Sequence, residues 1–211
     1  AHIPLILAPD RSKLSKRKHS ASVEHYRKEG YLPEAVLNYL ALLGWNPGTE
    51  EEFFDKEELA KRFTLDQVQK SGAIFDEVKL KWFNREYMLK LSYDSFWEHA
   101  EEFLSEETVT MLDTKGLWKD VVGIMRERVQ TFGELTQMDK DGEFRYFYAA
   151  PAYDAKALLW KKNPDPEATK RYLTEVLDIL SGIETETWTQ ESVRESVFPY
   201  ADQTGRGEVL W

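Results

Sequence analysis

The chain has 211 residues, 42% hydrophobic and 31% charged, with a net charge of -10 and no cysteine. This composition excludes disulfides, thiolate metal sites and a disordered chain. No apolar run approaches the roughly 20 residues that a bilayer span needs, so no membrane partner is expected.

The length allows one large or two small domains around a real core. The first residue is not Met, and residues 1–8 lack a basic n-region and run into a turn. That opening is no signal peptide, and the chain reads as one cut from something longer. Absence of cysteine suits a reducing, cytoplasmic compartment. The four histidines (His2, His19, His25, His99) are scattered without metal-ligand spacing, so no structural zinc is expected. An acidic total argues against a nucleic-acid binder, because phosphate neutralisation usually dominates affinity. The distribution changes that argument. Residues 1–48 carry seven Lys/Arg (Arg11, Lys13, Lys16, Arg17, Lys18, Arg27, Lys28) against four acids, and the rest carries 21 against 34.

In chain order, residues 3–8 form a short β-branched apolar run that stops at Pro9-Asp10, the pattern of a strand. Residues 9–20 follow as a loop, and Ser20 or Ser22 is placed to cap a helix ending near Gly30. Pro33 opens a second helix that Gly44 closes. Asp55-x-x-Glu58 and Thr64-x-x-Gln67 are capping-box patterns ahead of short helices. Short helices over 76–83 and 85–91 are separated by Asn84, and another covers 94–104. The clearest amphipathic stretch runs from 118 to 132, where Trp118, Val121, Val122, Met125, Val129 and Phe132 recur at three and four. Helices also fit 153–162, 165–181 and 189–200, with breaks at 46–48, 163–166 and 204–207. A composition shift near residue 90 divides the chain into 1–90 and 91–211. The fold class expected is mainly α: a short strand and basic loop, then short helices, then a helical bundle.

Within the loop, Lys13-Leu-Ser-Lys-Arg17 sets three cations and a hydroxyl in five positions between a strand and a helix. Such a segment suits polyphosphate, since cations neutralise its oxygens and free N–H groups at a helix start add partial positive charge. A solvated charged loop has the same composition. Glu51, Glu52, Glu57 and Glu58 read as a solvated helix face. Asp139–Glu143 resembles the start of a calcium loop, but Tyr148 stands where a bidentate glutamate is required, leaving an ordinary turn. Phe144, Tyr146, Phe147, Tyr148, Trp45 and Trp82 are able to stack on bases but read first as core.

The run Lys13-Leu-Ser-Lys-Arg, Ser22-Val23, Tyr26, Gly30-Tyr-Leu-Pro-Glu-Ala and Asn38-Tyr-Leu-Ala-Leu-Leu-Gly-Trp45 resembles the glutamyl-tRNA synthetase family almost position for position. Its first five residues correspond to the KMSKS loop of class I synthetases. Lys70-Ser-Gly-Ala-Ile-Phe-Asp76 with Lys79-Leu80, Trp82 and Asn84 resembles the family's next landmark. Arg126-Glu-Arg128, Lys156-Ala and Gly205–Trp211 are weaker matches. The resemblance implies a strand and KMSKS loop leading through a stem-contact region (1–90) into the first part of an anticodon-binding bundle (91–211).

It further implies a parent that joins glutamate to tRNA-Glu through a glutamyl-adenylate, using ATP and Mg²⁺. Lys16 would bind ATP and stabilise charge developing on pyrophosphate, with Lys13, Ser15 and Arg17 supporting the catalytic loop. Contact with tRNA is implied for Asp76, Lys79, Lys81, Trp82 and Asn84, and for Arg206 near the C-terminus. The chain is expected to be monomeric. Two departures stand out. Lys18-His19 replaces a frequent His-Gly, and the HIGH signature is absent; His2-Ile3-Pro4-Leu5 is not one. Without the nucleotide fold, this chain alone is expected to be inactive. A stand-alone helical RNA- or protein-binding module on the same scaffold is the alternative. Glutaminyl-tRNA synthetase shares the loop chemistry, but that family continues into β-barrels, against the helical pattern after residue 90.

Overall fold

In the computed structural model, which describes residues 4–14, 22–162 and 164–210, the chain is mainly helical and divides into two compact units, 1–150 and 151–211. No helix among the described residues is long and apolar enough to cross a membrane.

The first unit begins with β1 (Ile6–Leu7), the centre of the strand expected over 3–8. It pairs in parallel with β2 (Ala73–Ile74), in the register Ile6↔Ala73 and Leu7↔Ile74. β2 is too short for any alternation to announce it. Gly72 allows the approach, because a Cβ there would lie 3.0 Å from the Leu5 carbonyl oxygen.

Helix α1 (Val23–Lys28) is capped by Ser22, whose hydroxyl accepts from the His25 N–H at 3.1 Å. α2 (Pro33–Gly44) has the bounds that Pro33 and Gly44 predict. α3 (Lys56–Arg62) starts at Asp55, whose carboxylate accepts from the Glu58 N–H at 2.7 Å. The second capping pattern yields only a 3₁₀ turn, Leu65–Gln67, because the Thr64 hydroxyl turns to the Gln67 side chain.

α4 (Glu77–Lys90) runs unbroken through Asn84, where the sequence predicts two helices. Asparagine interrupts helices by competing for local backbone groups. Here its amide is occupied by distant ones: Oδ1 accepts from the Leu32 N–H at 2.7 Å, and Nδ2 donates to the Gln130 carbonyl at 2.6 Å. Tertiary bonding removes the competition.

α5 (Tyr93–Ala100), α6 (Glu106–Thr114), α7 (Trp118–Arg128) and α8 (Gly133–Lys140) follow. The stripe read as one helix over 118–132 is broken at Val129, which is extended, yet Val129 and Phe132 remain buried. Together these helices enclose a core of Phe96, Trp97, Leu112, Val121, Met125, Phe132 and Leu135, joined by Leu32, which precedes α2, Ala35 from α2 and Met88 from α4. A second, aromatic cluster of Tyr31, Tyr39, Phe75, Leu80 and Phe83 lies between α2 and α4. Phe144 and Trp45 are core residues, as read; Tyr146 is exposed.

The second unit contains α9 (Pro166–Ser181), α10 (Gln190–Thr204) and α11 (Arg206–Val209). Asp165 caps α9, and a reciprocal Thr189–Ser192 pair caps α10, which continues through Pro199. The helix expected over 153–162 is a 3₁₀ turn, Ala155–Leu158.

Candidate functional site

The base of the basic loop is built on both edges of β1. On one edge Leu7 forms an antiparallel bridge with Lys13, and the Leu14 N–H donates to the Ile6 carbonyl at 3.0 Å. On the other edge lies β2, and the Phe75 N–H donates to the Leu7 carbonyl at 2.8 Å. The reversal between β1 and Lys13 is tight. The Ala8 N–H donates to the Ser12 carbonyl at 2.8 Å, the Ser12 N–H donates to Asp10 at 2.9 Å, and Arg11 takes a left-handed φ of 64°. A non-glycine residue there costs about 1 kcal/mol, so the turn is specified by its hydrogen bonds.

Lys13 is exposed, whereas Leu14 packs on the aromatic cluster. Ser15, Lys16 and Arg17 lie outside the described residues. The described chain resumes at Ser22, and Tyr26 of α1 packs on the same cluster, 5.4 Å from the Tyr31 ring and 6.1 Å from Phe75. One aromatic layer therefore supports the residues on either side of 15–21. Arg11, Lys13 and Arg27 are exposed.

β2 leads directly into α4. Asp76 caps the helix, accepting from the Val78 and Lys79 N–H groups at 2.9 and 3.1 Å, while its own N–H donates to the Tyr39 hydroxyl at 2.7 Å. Burial pushes the Tyr39 phenol up to about 12. Lys79 is exposed and paired with Glu52 at 2.6 Å; Lys81 is half-buried and paired with Glu134 at 3.3 Å. Trp82 is 39% exposed, its ring resting on Phe53 and Phe83. Lys90 stands 4.3 Å from the centre of the Phe53 ring. Cations thus flank an open aromatic face, and exposed ion pairs worth about 0–1 kcal/mol each are readily exchanged for a phosphate.

Asn84 is arranged otherwise. Its side chain is fully enclosed and bonded inward, so it offers no surface to a nucleic acid. Arg206 belongs to the second unit, where it pairs with Asp202 and lies 5.2 Å from the centre of the Phe198 ring. The guanidinium holds the Asp202 carboxyl below its usual range. The first unit thus sets Lys13 on the free edge of β1, and Asp76, Lys79, Lys81 and Trp82 on the helix that β2 launches. The pairing acids Glu52 and Glu134 were missed in the sequence, since neither lies near its lysine along the chain.

Residues 95–208, more than half of the chain, match the family described as anticodon binding domain, and residues 1–82 match tRNA synthetases class I (E and Q), catalytic domain. The chain belongs to the anticodon-binding-domain family. Joined to the end of a class I catalytic domain, it has the make-up of a stretch of glutamate–tRNA ligase. It is 39% identical over 183 residues to glutamate–tRNA ligase 1 of Syntrophomonas wolfei, an alignment covering 87% of this chain and 36% of that protein. To the glutamate–tRNA ligase of Clostridium botulinum it is 36% identical over 213 residues, covering 100% of this chain and 42% of the relative. A crystal structure of a glutamate tRNA ligase from Elizabethkingia meningosepticum, in complex with its amino acid, superposes with a TM-score of 0.68 at 29% identity. That superposition covers 99% of this chain and 43% of the other. The chain therefore spans about two fifths of the length of these relatives.

Proposed function

We propose that this chain is the part of a glutamate–tRNA ligase that runs from the KMSKS loop into the anticodon-binding bundle. Residues 1–90 are the end of the catalytic domain with its stem-contact region, and residues 91–211 are the first part of the bundle. The parent attaches glutamate to tRNA-Glu through a glutamyl-adenylate formed from ATP. The observation that carries this reading is the construction of the loop base: Lys13 and Leu14 are hydrogen-bonded to the strand whose other edge launches the Lys79–Trp82 face. A phosphate-binding loop and a nucleic-acid-facing helix are thereby referenced to one short strand. The matches to the E and Q catalytic domain and to the anticodon-binding domain support it. Among the described residues after 90 there are helices and turns but no strand, which supports the glutamyl over the glutaminyl branch.

Lys16 neutralises charge as it develops on the leaving pyrophosphate, an effect confined to the transition state. Lys13, Ser15 and Arg17 hold the loop and the phosphates. Mg²⁺ enters as the escort of ATP; among the described residues no group of three or more acids or histidines is placed to hold a metal ion. Lys79, Lys81 and Trp82 contact the tRNA, with Asp76 fixing the start of their helix, and Arg206 contacts it from the second unit. The cytoplasm is its compartment, and it acts as a monomer.

Lys16→Ala in the intact parent is expected to lower ATP–pyrophosphate exchange at least a hundredfold, the scale of removing one transition-state donor, with an unchanged melting temperature. An unchanged exchange rate would overturn the role of Lys16. The 211-residue chain by itself is expected to charge no tRNA, and charging above a no-protein control would overturn its assignment as one part of the active machine.

A further inference from the structure

α1, the helix that carries the chain out of the basic loop, ends against the start of α8. Gly30 closes α1 with a left-handed φ of 73°, and the Tyr31 N–H donates back to the Tyr26 carbonyl at 2.9 Å. Such endings leave the last carbonyls of a helix without internal partners. Here they are taken up by the start of another helix: the Gly133 N–H donates to the Glu29 carbonyl at 3.2 Å and the Phe132 N–H to the Gly30 carbonyl at 3.1 Å. The backbones meet so closely that neither glycine has room for a methyl group. A Cβ on Gly30 would lie 2.5 Å from the Gly133 nitrogen, and one on Gly133 would lie 2.7 Å from the Glu29 carbonyl oxygen.

α4 braces this contact from the side. Asn84 takes the Leu32 N–H and gives to the Gln130 carbonyl, so one buried amide holds the strand of chain leaving α1 and the one entering α8. Glu134 accepts from the Gln130 N–H at 2.8 Å and pairs with Lys81. Every group involved lies in the first unit. The chain segments joined belong to the two different matched families, 1–82 and 95–208.

The geometry points to a positioning joint: Gly30, Gly133 and Asn84 fix the direction in which α1 leaves the helical bundle. A rigid joint of this kind makes the bundle, together with the two-residue sheet, a determinant of the frame on either side of residues 15–21. The consequence for catalysis rests on reading 13–17 as the ATP-site loop; the joint itself does not, and its test is independent of that reading.

The absence of native cysteine allows spin labels at Lys28→Cys on α1 and Lys140→Cys on α8, both exposed. The distance distribution between them is expected to be narrow in the otherwise unaltered chain and broadened by Gly133→Ala and by Gly30→Ala. Two substitutions serve as controls. Gly123→Ala in α7 meets nothing closer than the Tyr93 hydroxyl at 3.5 Å, and Gly116→Ala shares a left-handed φ, 67°, with open space around it. Both controls are expected to leave the distribution narrow. Alanine ordinarily favours a helix over glycine, so broadening by Gly133→Ala has its source in the contact and not in propensity.

Amide exchange over 23–32 should also quicken roughly tenfold or more in that variant, as a local opening. A Gly133→Ala distribution as narrow as the parent's overturns the joint. Should that variant fail to fold, exchange in the unsubstituted chain decides. Leu32, Phe132 and Gly133 amides sharing one opening free energy support the joint, and unrelated protection among them overturns it. An intact joint together with unchanged pyrophosphate exchange in Lys16→Ala would sink the loop assignment and leave the joint standing.

Discussion

Asn84 directs both ends of its amide inward, and removing it strands two backbone groups at once. The Leu32 N–H and the Gln130 carbonyl would each lose a partner. A buried unsatisfied group costs about 1–3 kcal/mol, and the Gln130 carbonyl, only partly buried, adds less, so Asn84→Ala is expected to lower stability by about 2–4 kcal/mol. In urea this appears as a lower midpoint with an unchanged slope. Lys79 presents the opposite case, since its pair with Glu52 is exposed and worth about 0–1 kcal/mol. Lys79→Ala should hardly move the midpoint. It should lower the slope of log affinity for tRNA-Glu against log salt by about 1, the share of one phosphate contact. A slope equal to the parent's would remove Lys79 from the interface. Folded Asn84→Ala should keep the parental slope, separating a residue that shapes the surface from one that forms it.

The α2–α4 pair encloses tyrosines whose ionisation the fold opposes. Burial raises Tyr39 to about 12 and also raises Tyr31 above the ordinary phenol value near 10, with the Glu77 carboxylate adding to the effect at Tyr31. The neutral phenol is the form the folded state prefers. Its contribution is therefore fully present below pH 10 and is lost as pH rises from about 10 through 12. Melting temperature should fall across that window, with phenolate absorbance appearing together with the loss of helical ellipticity. Tyr39→Phe should make the fall shallower, and an identical fall would assign it to other groups.

The same elements mark what the sequence reveals and what it hides. Helix limits set by local chemistry, such as Ser22, Pro33, Gly44 and Asp55, can be read directly. So can the cations of residues 13–17. Asn84 misleads as a helix break because its partners, Leu32 and Gln130, are distant in sequence. β2 has only two residues, and the helix patterns at Thr64 and over 153–162 yield only 3₁₀ turns. Gly133 gives no signal at all, since its glycine is required by Glu29, a neighbour only in the fold.

Across the whole chain, burial is distributed very unevenly between the two units. Among the described residues, the buried apolar ones of the first unit run from Ala8 to Phe144 and include all the members of three core clusters, whereas the second unit buries only Val197 and Ala201. α9 has no buried residue, and Leu173 and Leu177 on it are 50% and 61% exposed. Apolar burial supplies roughly 25 cal/mol per Å² and must offset about 1–2 kcal/mol of backbone entropy per ordered residue. With far less apolar burial, residues 151–211 offset that cost less well than residues 1–150. Two transitions are therefore expected in urea, the second unit melting first. Amide exchange resolved along the chain is the direct measurement, with 166–204 losing protection at denaturant concentrations where 77–140 keeps it. A chain ended at Ala150 should retain the later transition unchanged, because every residue of the three cores is still present. Loss of protection in both regions at one midpoint, or collapse of the shortened chain, would show that the units stabilise each other.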